Sequence, residues 1–243
     1  VIVLFTDFGV EGPYAGQMEA ILRQKLPNTA VIHLLHNAPA GQPELAAYLL
    51  AALRHDFPPG SIFLSVVDPG VGGKRGEVVV KADGQYFIGP ENGLFNTVAR
   101  HSLQRQWWNI HWRPESCSNS FHGRDIFAPV AAALVADEAD RLLRIMPEPD
   151  LSQWPQDLAK IIYFDHYGNA MTGLRYQKRW AGCSLRVQGK ILQQADTFCQ
   201  AEKGQAFWYK NANGLVEIAV NRGHAQKALS LGLGDTVTIE SGA

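Results

Sequence analysis

The sequence predicts an α/β protein: an N-terminal domain with a mainly parallel sheet, then a smaller C-terminal β-barrel or sandwich domain. Three observations predict it. Apolar runs alternate with amphipathic stretches from residue 1 to residue 67. A proline-rich, acidic interval covers 146–155. Beyond it come short apolar or alternating runs punctuated by turns. The first pattern argues for parallel strands joined by right-handed crossovers, the last for a small closed β domain.

Residues 1–5 form a continuous apolar run, as in a strand buried on both faces, and end in Thr6-Asp7-Phe8-Gly9. A helix follows from Pro13, with Ala15, Met18, Ile21 and Leu22 on one face. A strand over 30–35 and a helix over 43–57, striped by Leu45, Leu49, Ala52 and Leu53, come next. The strand over 62–67 delivers Asp68 into Pro69-Gly70-Val71-Gly72-Gly73, a loop that can be neither helix nor regular strand. Residues 77–82 and 86–88 read as a hairpin around Asp83-Gly84. Gly89 to Gly93 reads as a loop, 106–111 as a strand whose Trp107 and Trp108 serve the core or a subunit contact, and 126–136 as a helix. The domains are therefore expected at 1–145 and 158–243, with a linker at 146–157. Strands in the second are expected at 160–164, 170–174, 184–187, 190–192, 206–210, 216–220 and 236–240.

Composition narrows the function. A net charge of -1 gives no electrostatic reason to bind nucleic acid or an anionic membrane. No apolar run reaches the length of a spanning helix, and the opening run is too short and lacks the basic flank of a signal peptide. Cys117, Cys183 and Cys199 are odd in number and far apart, which suits a reducing cytoplasm and gives no zinc spacing.

Four polar groups stand at or near strand ends: Asp7, Asp68, Arg75 and His122. Open α/β sheets place their ligands there. Asp68 with Arg75 reads either as an ion pair closing a surface turn or as part of a site. Asp7 reads either as a charge near a helix N-terminus or as an acceptor for a ribose diol. Neither a Gly-x-Gly-x-x-Gly nor a Walker loop is present, which favours a nucleoside ligand over a phosphorylated one. His122 alone reads as a capping or core histidine, and Arg124 with Asp125 as a local ion pair. His33 and His36 lie in a predicted strand without a third ligand, so no metal site is expected. Asp165-His166-Tyr167-Gly168-Asn169 is either an ordinary turn or a group able to meet an ammonium, read an adenine edge and stack.

Taken together, Thr6-Asp7-Phe8-Gly9, Val67-Asp68-Pro69-Gly70-Val71-Gly72 with Arg75, Gly89-Pro90-Glu91-Asn92-Gly93, Phe121-His122-Gly123-Arg124-Asp125-Ile126-Phe127-Ala128-Pro129, Tyr167-Gly168-Asn169, and Asn213-Gly214 with Ala219-Val220-Asn221 resemble the S-adenosylmethionine hydroxide adenosyltransferases. These are adenosine-forming hydrolases related to fluorinase and chlorinase. The resemblance implies a homotrimer with active sites between the first domain of one subunit and the second of its neighbour. It implies catalytic Asp68, Arg75 and His122; the halogenases have Tyr at the position of Asp68. Substrate binding is implied for Asp7, Asp165, Tyr167, Asn169, Phe198, Asn213, Glu217 and Val220. Neither metal nor cofactor is implied, S-adenosylmethionine being the substrate. Gly12 stands where relatives often carry Asp, Ala212 where Ser is common, and His33-Leu34-Leu35-His36 in place of Asp-x-Ser-His, with Gln42 where an Asp follows. A halide-using synthase and a nucleoside-binding protein without catalysis are the alternatives.

Overall fold

A computed structural model describes residues 1–240. The last three residues of the expected 158–243 domain lie outside that range. The chain divides into two compact units, Val1–Trp154 and Pro155–Ala243.

In the first unit the elements run β1 (Ile2–Thr6), α1 (Tyr14–Lys25), β2 (Val31–Leu35), α2 (Pro43–Leu53), β3 (Ile62–Val66), β4 (Glu77–Ala82), β5 (Gln85–Pro90), α3 (Asn96–His101), β6 (Arg105–Ile110), α4 (Ala128–Val135) and β7 (Leu143–Met146). The strands form one sheet in the order β2-β1-β3-β5-β4-β6-β7. Strands β2, β1, β3, β5 and β6 point one way, and β4 and β7 oppose them. Strands β1 and β3 are wholly buried, as their unbroken apolar runs require. Strand β2 forms the sheet edge and is only partly covered, so His33 and Ile32 are exposed.

Some details differ from the sequence expectation. Gly89 and Pro90 extend β5 instead of opening a loop, because β5 there runs so close to β3 that a Cβ on Gly89 would collide with the Ser65 carbonyl. Helix α3 and strand β7 are short, and neither carries a periodic apolar signal long enough to read. The segment read as a linker is anchored at its end: Trp154 stacks against Tyr48 at 6.2 Å and its indole N–H donates to Thr97 Oγ1 at 2.9 Å.

The second unit contains β8 (Leu158–Phe164), β9 (Ala170–Arg175), β10 (Ser184–Val187), β11 (Lys190–Gln194), β12 (Ala206–Lys210), β13 (Leu215–Val220), the one-turn α5 (Ala225–Ala228) and β14 (Val237–Glu240). Their order is β14-β10-β11-β12-β13-β9-β8. The two edges nearly meet. Lys160 bridges to Thr236, and Ile161 exchanges backbone hydrogen bonds with Asp235 and Gly234 at 2.9 and 2.8 Å. The result is a nearly closed barrel around Trp208, Ile218, Leu185 and Ile161. No helix among the described residues is long and apolar enough to cross a membrane.

Candidate active site

The connection from β1 runs to β2 on one side, while β3 lies on the other, so the β1/β3 border is where the sheet changes direction of growth. Ligands of open α/β sheets bind beyond the carboxyl ends of strands at such a point. Asp7 leaves β1 there and Asp68 follows β3; the Asp7 N–H donates to the Val66 carbonyl at 3.2 Å. The Asn92 side chain donates to the Val67 carbonyl at 2.8 Å and braces the residue before Asp68.

Gly72 turns the loop back with φ of 74°, and any Cβ there would run into the Asn119 carbonyl. That reversal delivers Arg75 to Asp68. The guanidinium is fully committed. Nε donates to both oxygens of Asp68 at 3.0 and 3.1 Å, and Nη2 donates to Asp68 Oδ2 and lies 3.0 Å from His122 Nδ1. Nη1 donates to Glu77 Oε1 at 2.7 Å and to the Gly76 carbonyl at 3.2 Å. Four of the five N–H groups of an arginine then donate to carboxylates or a carbonyl, and the fifth faces the His122 ring. The cluster is nearly dry: the side chains of Asp68, Glu77 and Arg75 are 3%, 4% and 10% exposed. Burial works against the Arg75 charge, but Asp68 and Glu77 together hold its pKa above the ordinary value.

His122 sits at the head of a turn of π-helix, Gly123–Phe127, that runs into α4. Such single turns often mark functional positions. Burial and the neighbouring Arg75 lower the His122 pKa, so the imidazole is neutral near pH 7. An aromatic cluster holds the two loops together, with Phe8, Tyr14 and Phe121 in edge-to-face contact at 5.3 to 5.8 Å. Between them lies a cavity of about 60 Å³ lined by Asp7, Phe8, Asp68, Phe121 and His122 among others. That is room for a water molecule or two. Asp7 accepts the Gly41 N–H through Oδ2 at 2.9 Å, and burial raises its pKa.

His33 and His36 join a chain that supports β1. His33 Nε2 lies 2.9 Å from Glu19 Oε2, His33 Nδ1 lies 2.7 Å from His36 Nε2, and His36 Nδ1 lies 2.8 Å from Thr6 Oγ1. The His36 carbonyl accepts the Gly9 N–H at 2.6 Å, so this histidine ties down both ends of the Asp7 turn. Arg124 and Asp125 form a local ion pair at 2.6 Å.

In the second unit, Asp165, Tyr167, Asn169, Phe198 and Val220 line one cavity of about 460 Å³, a size suited to a small organic ligand. Asp165 organises it: its carboxylate accepts the Asn169 backbone N–H at 2.8 Å and the Asn169 amide at 2.9 Å. Those bonds use the Asn169 amide nitrogen and leave its oxygen out of the Asp165 contact. Gly168, with φ of 80°, is required because a Cβ would overlap the His224 ring. Two expected binding residues are placed elsewhere. Asn213 lies on the β12–β13 turn, where its N–H donates to Asn211 Oδ1, and it does not line the cavity. Glu217 is buried behind the wall, accepting from the wall residue Tyr209 at 2.5 Å and from Asn211 at 2.8 Å. Burial raises the pKa of both Glu217 and Tyr209. The sequence reading missed Glu77, Tyr209 and Arg222. Glu77 was findable: it lies two residues after Arg75, on the same side of an extended chain, before an all-valine run.

Two family models match, the SAM hydroxide adenosyltransferase N-terminal domain over residues 2–142 and its C-terminal domain over 159–238. The chain belongs to the SAM hydroxide adenosyltransferase family. Two of its relatives are proteins named (R)-S-adenosyl-L-methionine hydrolase. That of Thermus thermophilus is 33% identical, with 95% of each chain covered. That of Salinispora arenicola is 32% identical, with 98% of this chain and 96% of the relative covered. A fluorinase of Nocardia brasiliensis is 22% identical over 100% of this chain and 97% of its own. Among solved structures, a conserved protein of Thermotoga maritima superposes with a TM-score of 0.89 at 29% identity, covering 99% of this chain and 100% of that one. The family's two-domain division matches the two compact units.

Proposed function

We propose that the protein hydrolyses S-adenosyl-L-methionine at C5′, releasing adenosine and L-methionine. The observation that carries this is the buried Asp68–Arg75–His122 cluster, which opens on a cavity of water size beside Asp7. Family membership and the hydrolase relatives agree with it.

Water in the small cavity attacks C5′ in line with the sulfonium. The C5′–S bond breaks and its electron pair stays on sulfur. Methionine leaves as a neutral thioether, so no general acid is needed. The difficult part is the nucleophile. Arg75 cannot be a base, because guanidinium pKa values exceed about 12. With its N–H groups turned to protein partners it acts through its charge, which favours developing hydroxide. Asp68 fixes Arg75 and accepts a hydrogen bond from the water. His122, held neutral, takes the proton. A free oxygen of Asp7 receives the ribose hydroxyls. The scheme uses no metal and no cofactor.

The barrel half of the site receives the adenine. The Asn169 amide oxygen accepts from the 6-amino group, the backbone near Val220 reads the other edge, and Tyr167 and Phe198 supply apolar walls. Asp165 meets the methionine ammonium. Asn213 supports the β12–β13 turn, and Glu217 acts from behind the wall by fixing Tyr209. Asp7 and the barrel residues meet across subunits of a homotrimer, which sedimentation equilibrium would test. Three cysteines without a disulfide fit a cytoplasmic setting. The relatives' names specify the (R) form, and we extend that preference to this chain.

Product analysis tests the proposal. Each sulfonium configuration is incubated with the protein with and without chloride. Equal amounts of adenosine and methionine, unaffected by chloride, are expected. A 5′-chlorinated nucleoside would establish the halide reading; tight adenosine binding without methionine release would establish a binding protein.

A further inference from the structure

His122 faces a conflict that Asp68 and Arg75 alone do not resolve. Arg75 Nη2 points a donor at Nδ1 from 3.0 Å. If Nδ1 accepts that bond, the neutral ring carries its proton on Nε2, and Nε2 then has no lone pair for water. A base requires the other tautomer, with hydrogen on Nδ1. That form needs an acceptor at Nδ1, and Glu77 Oε1, in charge contact at 3.2 Å, is a carboxylate oxygen within reach.

Glu77 is built for such a task. Its side chain is 4% exposed and touches three positive or protonatable groups. Oε1 accepts from Arg75 Nη1 at 2.7 Å and lies beside His122 Nδ1, while Oε2 accepts from Arg113 Nη2. An acid at the head of the strand Glu-Val-Val-Val has no reason of local propensity to be there. A cavity of about 720 Å³, lined by Arg75, Glu77, Arg113, Cys117 and His122 among others, lies on this side of the cluster. Both Glu77 and His122 border it.

We propose that Glu77 is a positioning residue that holds His122 with hydrogen on Nδ1, leaves Nε2 bare toward the attacking water, and stabilises the imidazolium that forms. This assignment rests on the hydrolase reading above. The step balances: water gives a proton to Nε2 as its oxygen bonds to C5′, and the Nδ1 proton passes to Glu77 or to water in the larger cavity. The charged groups facing the ring are Asp68 and Arg75 after β3, Glu77 on β4, Arg113 after β6, and Asp125 in the π turn. Arg75 and Arg113 lower the ring's pKa, and Glu77 and Asp68 oppose them after burial.

Two substitutions of opposite sign test the assignment, each read as the pH profile of kcat/KM for adenosine release. The acid limb reports protonation of the free enzyme's base and is expected below 6.5, the ordinary histidine value, in the parent protein, because burial and Arg75 lower the His122 pKa. Glu77→Gln removes the anion, so the limb moves to lower pH by about one unit. Its kcat falls by about 10–100-fold, the size associated with losing a histidine's outer hydrogen-bond partner. KM stays within about twofold, because Glu77 touches no substrate. Glu77→Asp restores part of kcat. Arg113→Gln frees the Glu77 charge and moves the limb to higher pH; its half-exposed side chain lets this variant fold even if Glu77→Gln does not. Limbs that stay in place in the folded variants, or a KM that rises in step with the loss of kcat, would overturn the assignment. A parent protein that releases no adenosine would instead end the hydrolase reading.

Discussion

Replacing His122 with alanine is expected to lower kcat by about 10²–10⁴-fold while KM changes little, the size of a lost general base. The ring contacts Arg75 and lines the water-sized cavity, but in the proposed function the ribose and adenine are received by other residues. Adenosine affinity, measured by calorimetry on the variant, is therefore expected to match that of the parent protein. Unchanged turnover would remove His122 from the mechanism. A loss of adenosine affinity equal to the loss of kcat/KM would make it a binding residue.

Arg75→Ala is expected to have the largest combined effect. It leaves Asp68 and Glu77 as buried carboxylates without their shared cation. Breaking a buried pair by removing one partner costs about 3–5 kcal/mol, and urea unfolding at pH 7 would read that loss directly. Activity falls with it, since nothing then favours hydroxide over water in the cavity. Arg75→Lys restores the charge but has three donors in place of five, in no planar fork. It is expected to recover part of the stability and little of the turnover. A fully active Arg75→Lys protein would show that the fork is dispensable. An Arg75→Ala protein of unchanged stability would contradict the account of the buried cluster.

The strand–helix alternation of the first unit was legible because β1 and β3 are buried on both faces and so are written as unbroken apolar runs. The barrel was legible from its turn spacing, though its closure through Lys160 and Thr236 was not, since register between distant strands leaves no local mark. Asp68, Arg75 and His122 are legible because they sit in glycine- or proline-containing motifs at or near predicted strand ends. Glu77 was passed over because it opens a valine strand and reads as the polar end of a hairpin. Glu217 stood out through its motif, but its place behind Tyr209 depends on a cross-strand pairing that becomes visible only once β12 and β13 are aligned. His33 and His36 carry no mark of their role in the sequence, where they lack only a third ligand; packing makes them a hydrogen-bonded brace for the Asp7 turn.

The most direct measurement follows the oxygen. Turnover of S-adenosyl-L-methionine in water enriched in ¹⁸O, followed by mass spectrometry of both products, is expected to put one heavy oxygen in adenosine, on C5′, and none in methionine. Methylthioadenosine with labelled homoserine would mean that water attacks the amino-acid side of sulfur, and the assignment of the buried cluster to chemistry at C5′ would be wrong.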